Sequence, residues 1–144
     1  MSTSTEKSDY MLLFRGGNAW TKQLSPDQLQ QVVSDWYAWF ERTKEEGKCV
    51  GGHPLEDEGK LVSGPKGRNI ADGPFAESKE AIGGYFYLQN VDMDEALEIA
   101  KQCPGLDYGA VVEVRPVAEI CSHGARLKAE AAQCEQLAGA TVGA

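Results

Sequence analysis

Two well-formed helix starts, each following an apolar strand-like segment, constrain the fold of this chain more than any other feature. At the first start, Ser25 is a good N-cap, Pro26 suits the first helical position and Gln28 completes a capping box. One apolar helix face follows at three- and four-residue steps, made of Leu29, Val32, Val33, Trp36 and Phe40. Gly47 then supplies a natural C-terminal stop.

The second helix start comes directly after the strongest strand signal of the chain. Residues 85–89 are rich in aromatic side chains and are introduced by Gly83 and Gly84. Asp92 is the predicted N-cap, with Glu95 as its capping-box partner. The predicted buried face of this helix consists of Ala96, Ile99, Ala100 and Cys103.

The order of the strands around these helices predicts the fold class. Strands are predicted at 10–14, 48–52, 85–89 and 110–115, and a Gly- and Pro-rich region at 51–84 contains a brief strand and turn signals typical of small hairpins. This order predicts an α+β fold, a ferredoxin-like βαββαβ sandwich with inserted hairpins. Both helices cover one sheet face, so the open face predicts a homodimer that packs sheet on sheet.

Length and composition predict one folded domain at 10–117. A polar lead at 1–9 precedes it, and 118–144 is predicted as a C-terminal helix and tail that contacts the second subunit. With 42% hydrophobic and 25% charged residues, the 144-residue chain has a globular composition. The net charge of −8 argues against a nucleic-acid partner, because phosphate contacts need a basic surface.

Location and redox state are predicted by default arguments. The chain has no apolar run of the roughly 20 residues that span a membrane and no signal-peptide pattern, so we expect no membrane partner and a cytoplasmic protein. Its four cysteines form no C-x-x-C pair and are expected to be reduced. Cys49 and Cys103 are predicted core residues.

Several short motifs along the predicted domain resemble the DGPF group of YCII-related proteins. The matching strings are DGPF at 72–75, GGY at 83–85, DEA at 94–96, CPG at 103–105 and VEVRP at 112–116. The resemblance covers residues 10–117. It implies a ferredoxin-like fold, a dimeric α+β barrel, and a cleft between helix and sheet near Asp72.

The resemblance also implies a chemistry that this chain matches only in part. In the wider YCII family a His-Asp pair is proposed as catalytic, and enzymes that cleave or isomerise chlorinated or lactone-type rings share the architecture. Asp72 matches the acid, but residues 20–25, where the family's histidine would lie, contain no histidine. Some DGPF relatives accompany sigma factors of the extracytoplasmic class.

Asp72 and His53 are the predicted catalytic residues, each with a structural alternative. Asp72 is either a general acid/base in a partly apolar setting or the acceptor of an Asx turn. His53 is either a substitute partner for Asp72 or an exposed loop histidine before Pro54. Two histidines and no spaced acid cluster predict no metal site, and we expect no cofactor.

The predicted ligand-binding residues are Arg115, Phe75, Tyr85 and Arg68. Arg115 lies within a strand, where it either pairs with Glu113 or faces the cleft. Arg68 belongs to a turn that either binds an anion or is simply solvated. Phe75 and Tyr85 are aromatic side chains close to Asp72 in sequence, and Tyr85 equally suits a dimer face.

Two functions of different classes remain open at this point. The first is a protein that binds an unknown small molecule beside Asp72, as a cofactor-independent lyase, isomerase or hydrolase. The alternative is a non-catalytic dimeric adaptor or ligand sensor associated with transcriptional regulation. The sequence has no DNA-reading motif, so the second function would act through protein contacts.

Overall fold

The computed structural model of the chain describes residues 6–74, 81–119, 123–124 and 126–133. The strands are β1 (Ser8–Arg15), β2 (Cys49–Pro54), β3 (Glu58–Ser63), β4 (Asn69–Pro74), β5 (Ile82–Val91) and β6 (Val111–Pro116). The α-helices are α1 (Pro26–Glu45) and α2 (Met93–Ala100), and 3₁₀-helices lie at Ala19–Gln23, Pro65–Gly67 and Pro104–Tyr108. Residues 126–133 are also helical and exposed.

Four of the strands form one antiparallel sheet in the order β2-β5-β1-β6. With a helix after β1 and another after β5, this order is that of the predicted ferredoxin-like α+β fold, which is therefore confirmed. β3 and β4 form a separate two-stranded hairpin, inserted between β2 and β5 as the sequence predicted. None of the helices in the described residues is long and apolar enough to cross a membrane.

The predicted start and end of α1 are confirmed. The backbone N–H of Gln28 donates to Ser25 Oγ at 3.2 Å, and the backbone N–H of Ser25 donates to Gln28 Oε1 at 2.9 Å. At the other end Gly47 has a φ of 75°, and its N–H donates to the carbonyl of Lys44 at 2.9 Å. The capping box and the left-handed glycine together fix the length of the helix.

The predicted buried face of α1 was wrong in part. Leu29 and Val33 remain 39% and 44% exposed, whereas Trp39 is fully buried. The Trp39 indole N–H donates to the carbonyl of Ile99 in α2 at 3.1 Å, and the Thr43 hydroxyl donates to the carbonyl of Trp39 at 2.6 Å. The Trp39 ring also packs against Phe14 and Phe86 of the sheet, with centroids 6.0 and 4.6 Å apart, so α1 turns Trp39 inward and leaves Leu29 and Val33 at its edge.

The core lies between the two helices and the sheet. Its fully buried large side chains are Trp39, Leu12, Leu88 and Val91. Cys49 and Cys103 are buried free thiols, as predicted. Asp92 caps α2 by accepting the backbone N–H of Glu95 at 2.8 Å. The reciprocal bond predicted for Glu95 is replaced, because the Glu95 carboxylate forms ion pairs with Lys7 and Lys48 instead.

Candidate functional site

A half-open cavity of about 340 Å³ lies between α1, the 3₁₀-helix Ala19–Gln23 and the sheet. Its wall is mainly aromatic and is formed by Phe14, Trp20, Trp36, Tyr37, Phe40 and Phe86, with aliphatic contributions from Leu29, Val32 and Val33. Asn18 and Thr21 add polar groups on the side of the 3₁₀-helix. Among the described lining residues, none is an aspartate, glutamate, lysine or arginine.

The aromatic rings of the wall hold one another in place. Phe14 packs edge-on against Trp36 with ring centroids 4.8 Å apart, and edge-on against Phe86 at 5.0 Å. Trp20 stacks on Trp36 at 6.0 Å, and Phe40 packs against Phe86 at 5.0 Å. Such offset and edge-to-face contacts are the preferred arrangements of aromatic side chains, so the wall is pre-formed rather than assembled by a ligand.

Glycines, among them Gly83 and Gly84, let the backbone segments behind the cavity approach each other. A Cβ added to Gly84 would lie 2.9 Å from the His53 carbonyl oxygen, and one added to Gly83 would lie 2.8 Å from the Gly17 carbonyl oxygen. Both contacts are with backbone, which cannot rotate away. The GGY string at 83–85 is therefore explained by close strand and loop packing beside the cavity.

Side-chain hydrogen bonds define the polar edge of the cavity. The Asn18 side-chain NH₂ donates to Asp57 Oδ1 at 2.8 Å, and the Thr21 hydroxyl donates to the Asn18 carbonyl at 2.7 Å. Asp57 itself is not among the residues that line the cavity. The polar groups at this edge of the cavity are therefore a neutral amide and a hydroxyl.

His53 and Tyr85 are brought together at the margin of this cavity. They are cross-strand partners of β2 and β5, and His53 Nδ1 lies 2.9 Å from the Tyr85 hydroxyl. Both residues border the cavity. Alternation along β5 places the half-buried Tyr85 side chain on the sheet face opposite buried Phe86, so the imidazole and the phenol pair on the open face of the sheet, next to the edge of the cavity.

Asp72 lies elsewhere. It is paired with Lys60 across the β3–β4 hairpin, and the two carry an ion pair. Its side chain is 78% exposed and is not among those that line the cavity. Within the described residues, the structure joins Asp72 to Lys60 and His53 to Tyr85, and does not join the two predicted catalytic residues.

The other predicted ligand-binding residues do not gather around the cavity. Arg115 forms an ion pair with Glu113 at 3.6 Å, and Glu113 also accepts from Arg15 at 2.6 Å. This is the pairing alternative that the sequence left open. Arg68 is exposed beside the 3₁₀-helix Pro65–Gly67, and Phe75 lies outside the described residues.

Metal and thiol chemistry gain no support from the described residues. They contain no group of three or more His, Cys, Asp or Glu side chains placed to hold a metal ion. Burial raises the pKa of the Cys103 thiol to about 11 and also raises the pKa of Cys49. Both thiols therefore stay protonated near neutral pH, which makes them poor nucleophiles.

Sequence reasoning missed the main aromatic residues of the site. Trp36 was predicted on the apolar face of α1, but its spacing does not distinguish a cavity wall from the core centre. Trp39 lies in the core, and Trp36 lies in the cavity wall. Trp20 carried no periodic signal, since its position depends on Gly105, where a Cβ would lie 2.9 Å from the indole.

Comparison with known proteins supports the resemblance found in the sequence. A family model described as the YCII-related domain matches residues 10–120. A search of curated proteins found no match. The matched residues include α1, α2, β2 to β6, all but the first two residues of β1, and the described residues that line the cavity.

Proposed function

The chain belongs to the YCII-related family, and we propose that it binds a neutral, largely apolar small molecule in the cavity between α1 and the sheet. The observation that carries the proposal is a pre-formed, half-open cavity of about 340 Å³ with an aromatic wall. Small-molecule sites are typically concave, mostly apolar and roughly 300–1,000 Å³ in volume. A ligand of one or two rings suits the lower end of that range.

The preference for a neutral ligand follows from the side chains around the cavity. A charged ligand would give up its hydration with no aspartate, glutamate, lysine or arginine among the described lining residues to pair with it. A planar ring, in contrast, can pack against Trp20 and Trp36 while Asn18 or Thr21 forms one orienting hydrogen bond.

We propose catalysis as the second candidate function, and the His53–Tyr85 pair is the observation that favours it. An imidazole at the margin of an apolar cavity is a suitable proton carrier, and the Tyr85 hydroxyl 2.9 Å from Nδ1 would hold the ring in place. A cofactor-independent lyase, isomerase or hydrolase would use such a group. Asp72 as the proton-handling residue stays a prediction, since its carboxylate is paired with Lys60.

The binding proposal can be tested with two matched leucines. Leu29 and Leu97 are helix-surface residues with 39% and 38% exposure, but Leu29 lines the cavity and Leu97 does not. Neutral one- and two-ring compounds would be screened by thermal shift, with tryptophan fluorescence as the titration signal. We expect Leu29→Glu to weaken binding at least tenfold and Leu97→Glu to leave it within twofold. Equal effects of both variants would refute binding in this cavity.

Replacement of the His53 imidazole distinguishes catalysis from simple binding. If the protein is an enzyme, His53→Gln should abolish conversion of a bound compound while its dissociation constant stays within threefold. Tyr85→Phe should keep partial activity and change the pH profile of kcat/KM, because it removes the hydrogen-bond partner of His53 Nδ1. Ligand binding without any conversion would favour the non-catalytic sensor.

We also propose that the protein is a homodimer, as expected from its open sheet face. That face carries half-buried apolar and aromatic side chains, including Met11, Leu13, Tyr85 and Tyr87. A second sheet would cover them. Light scattering of the full chain tests the proposal, and Leu13→Asp should weaken a dimer that packs through this face.

A further inference from the structure

The β3–β4 hairpin with its connecting turn, residues 58–74, forms an arm whose apolar side chains are not covered by the described residues. Its two strands pair with each other and not with the four-stranded sheet. Every residue of β3 is exposed, and Leu61, Val62 and Ile70 are 56%, 65% and 66% exposed. An isolated two-stranded hairpin is marginally stable in water, so this surface calls for a partner.

The arm combines an apolar patch with a basic tip. Val62 and Ile70 are directly opposed on one face of the hairpin. Beyond them, Lys66 and Arg68 lie at the tip and form no ion pair with the described residues. Residues 58–74 carry three cationic and two anionic side chains, whereas the whole chain has a net charge of −8. The arm is therefore a locally basic feature of an acidic protein.

A complementary surface lies on α1 of the same chain. Leu29, Val33 and Tyr37 follow one another at four-residue steps and are 39%, 44% and 67% exposed. The same ridge continues with Glu41 and Glu45, which are exposed and form no ion pair with the described residues. A four-residue step rises about 6 Å along a helix, so Glu41 follows Tyr37 at about that distance along α1. On the arm, Lys66 and Arg68 lie within four residues of Val62 and Ile70, respectively.

We propose that the arm of one chain docks on the α1 ridge of a second copy. Val62 and Ile70 pack against Leu29, Val33 and Tyr37, and the basic tip meets Glu41 and Glu45. Both halves of the contact are present on every chain, so a two-fold axis would form it twice and close the assembly. Opposite charges also offset the mutual repulsion of two molecules of charge −8.

This docking would also affect the cavity, an inference that rests on the proposed function. Leu29, Val33 and Tyr37 are ridge residues and also cavity-lining residues. An arm that covers them would close the open side of the cavity. The second copy would then contribute part of the ligand site, and ligand and dimer would stabilise each other by linkage.

The contact can be tested directly by photocrosslinking, with no ligand needed. We would place p-benzoylphenylalanine at Val62 and mix ¹⁵N-labelled with unlabelled full-length chains. We expect mixed-isotope crosslinks to peptides within residues 26–45. The control is the same probe at Leu97, a 38% exposed position on α2, which should not label α1 of another copy. Labelling only within one chain, or only of other segments, would overturn the proposal.

Charge reversal tests the polar half of the contact. Lys66→Glu with Arg68→Glu should reduce the intermolecular crosslink yield at least tenfold, and so should Glu41→Lys with Glu45→Lys. A mixture of the two double variants should recover most of the yield. Lys101→Glu with Lys128→Glu changes the charge equally at exposed residues that belong to neither the arm nor the α1 ridge, and should leave the yield within twofold. No recovery in the mixture would contradict the pairing.

The arm contact and the sheet-face dimer are separable, because they use different surfaces. Leu13→Asp should weaken sheet packing, whereas the arm variants act on exposed residues whose replacement leaves the fold intact. A protein that stays monomeric at about 100 µM in low salt, where charge attraction is least screened, would rule the arm contact out. If the protein forms the arm crosslink but binds none of the screened compounds, only the cavity proposal is contradicted.

Discussion

The cavity wall and the arm both display large apolar side chains, but only the wall is organised by contacts within the chain. Phe14, Trp36 and Phe86 pack edge-on at 4.8–5.0 Å, whereas Val62 and Ile70 face each other and remain about two-thirds exposed. The arm nevertheless carries Asp72, the acid of the signature motif. The cavity therefore lies in a tightly packed region and Asp72 in an exposed one, so the role of each must be tested separately.

The largest contrast is expected between core and arm truncations. Trp39→Ala removes a fully buried indole and its hydrogen bond to Ile99, and should lower the free energy of unfolding by about 3–5 kcal/mol. Val62→Ala removes two methyl groups from a 65% exposed side chain and should change it by less than about 0.5 kcal/mol. Urea unfolding measures both.

The protein concentration is the control in this experiment. If the arm docks on a second copy, the effect of Val62→Ala should grow with concentration, while that of Trp39→Ala in the core should persist at every concentration. A large effect of Val62→Ala at high dilution would show that the arm is stabilised within its own chain, and the comparison would fail.

Close backbone packing behind the cavity gives the next largest effect. A Cβ on Gly52 would meet the Tyr85 carbonyl oxygen and lie 2.7 Å from Phe86 Cδ1, so Gly52→Ala should destabilise the fold by about 3 kcal/mol. The neighbouring Gly51 has nothing within 4 Å of its added Cβ. Gly51→Ala is therefore the matched control, expected within about 0.5 kcal/mol of the parent. Similar thermal stabilities of the two variants would contradict this packing.

The framework of the fold could be predicted from the sequence because its signals are local. Ser25, Gln28 and Gly47 specify the ends of α1 through hydrogen bonds with residues at most three positions away. The fold class followed from the succession of strands and helices along the chain. The rotation of α1 about its axis was not predictable in this way, because Trp39 is held by Ile99, sixty residues further along the chain.

The candidate site was predictable only where one strand pair creates it. His53 and Tyr85 meet because β2 and β5 are neighbours, and their register is set by the ladder. Trp20 depends on contacts with Trp36 and on the absence of a side chain at Gly105, which no sequence period reveals. Asp72 was expected beside the cavity because of the motif resemblance. A motif match does not tell in which direction the hairpin that carries Asp72 projects.

Alkaline pH should probe the packed region selectively through Cys103. Burial raises its pKa from 9.0 to about 11, so the folded protein keeps the proton while the unfolded chain loses it. The resulting stabilisation is complete below pH 9 and is lost as the pH rises through 11. We expect the difference in unfolding free energy between the parent and Cys103→Ala to shrink by about 2 kcal/mol across that interval. A constant difference would show that the thiol is not desolvated.

The smallest effect is expected at Asp72, and it decides how the arm is to be understood. The Lys60–Asp72 pair is 65% and 78% exposed, and a double-mutant cycle with Lys60→Gln and Asp72→Asn should give a coupling below about 0.5 kcal/mol. Coupling well above that value would make Asp72 a structural residue of the hairpin. With negligible coupling, any loss of ligand binding or of arm crosslinking in Asp72→Asn must come from a contact outside the hairpin, because the arm itself would be unchanged.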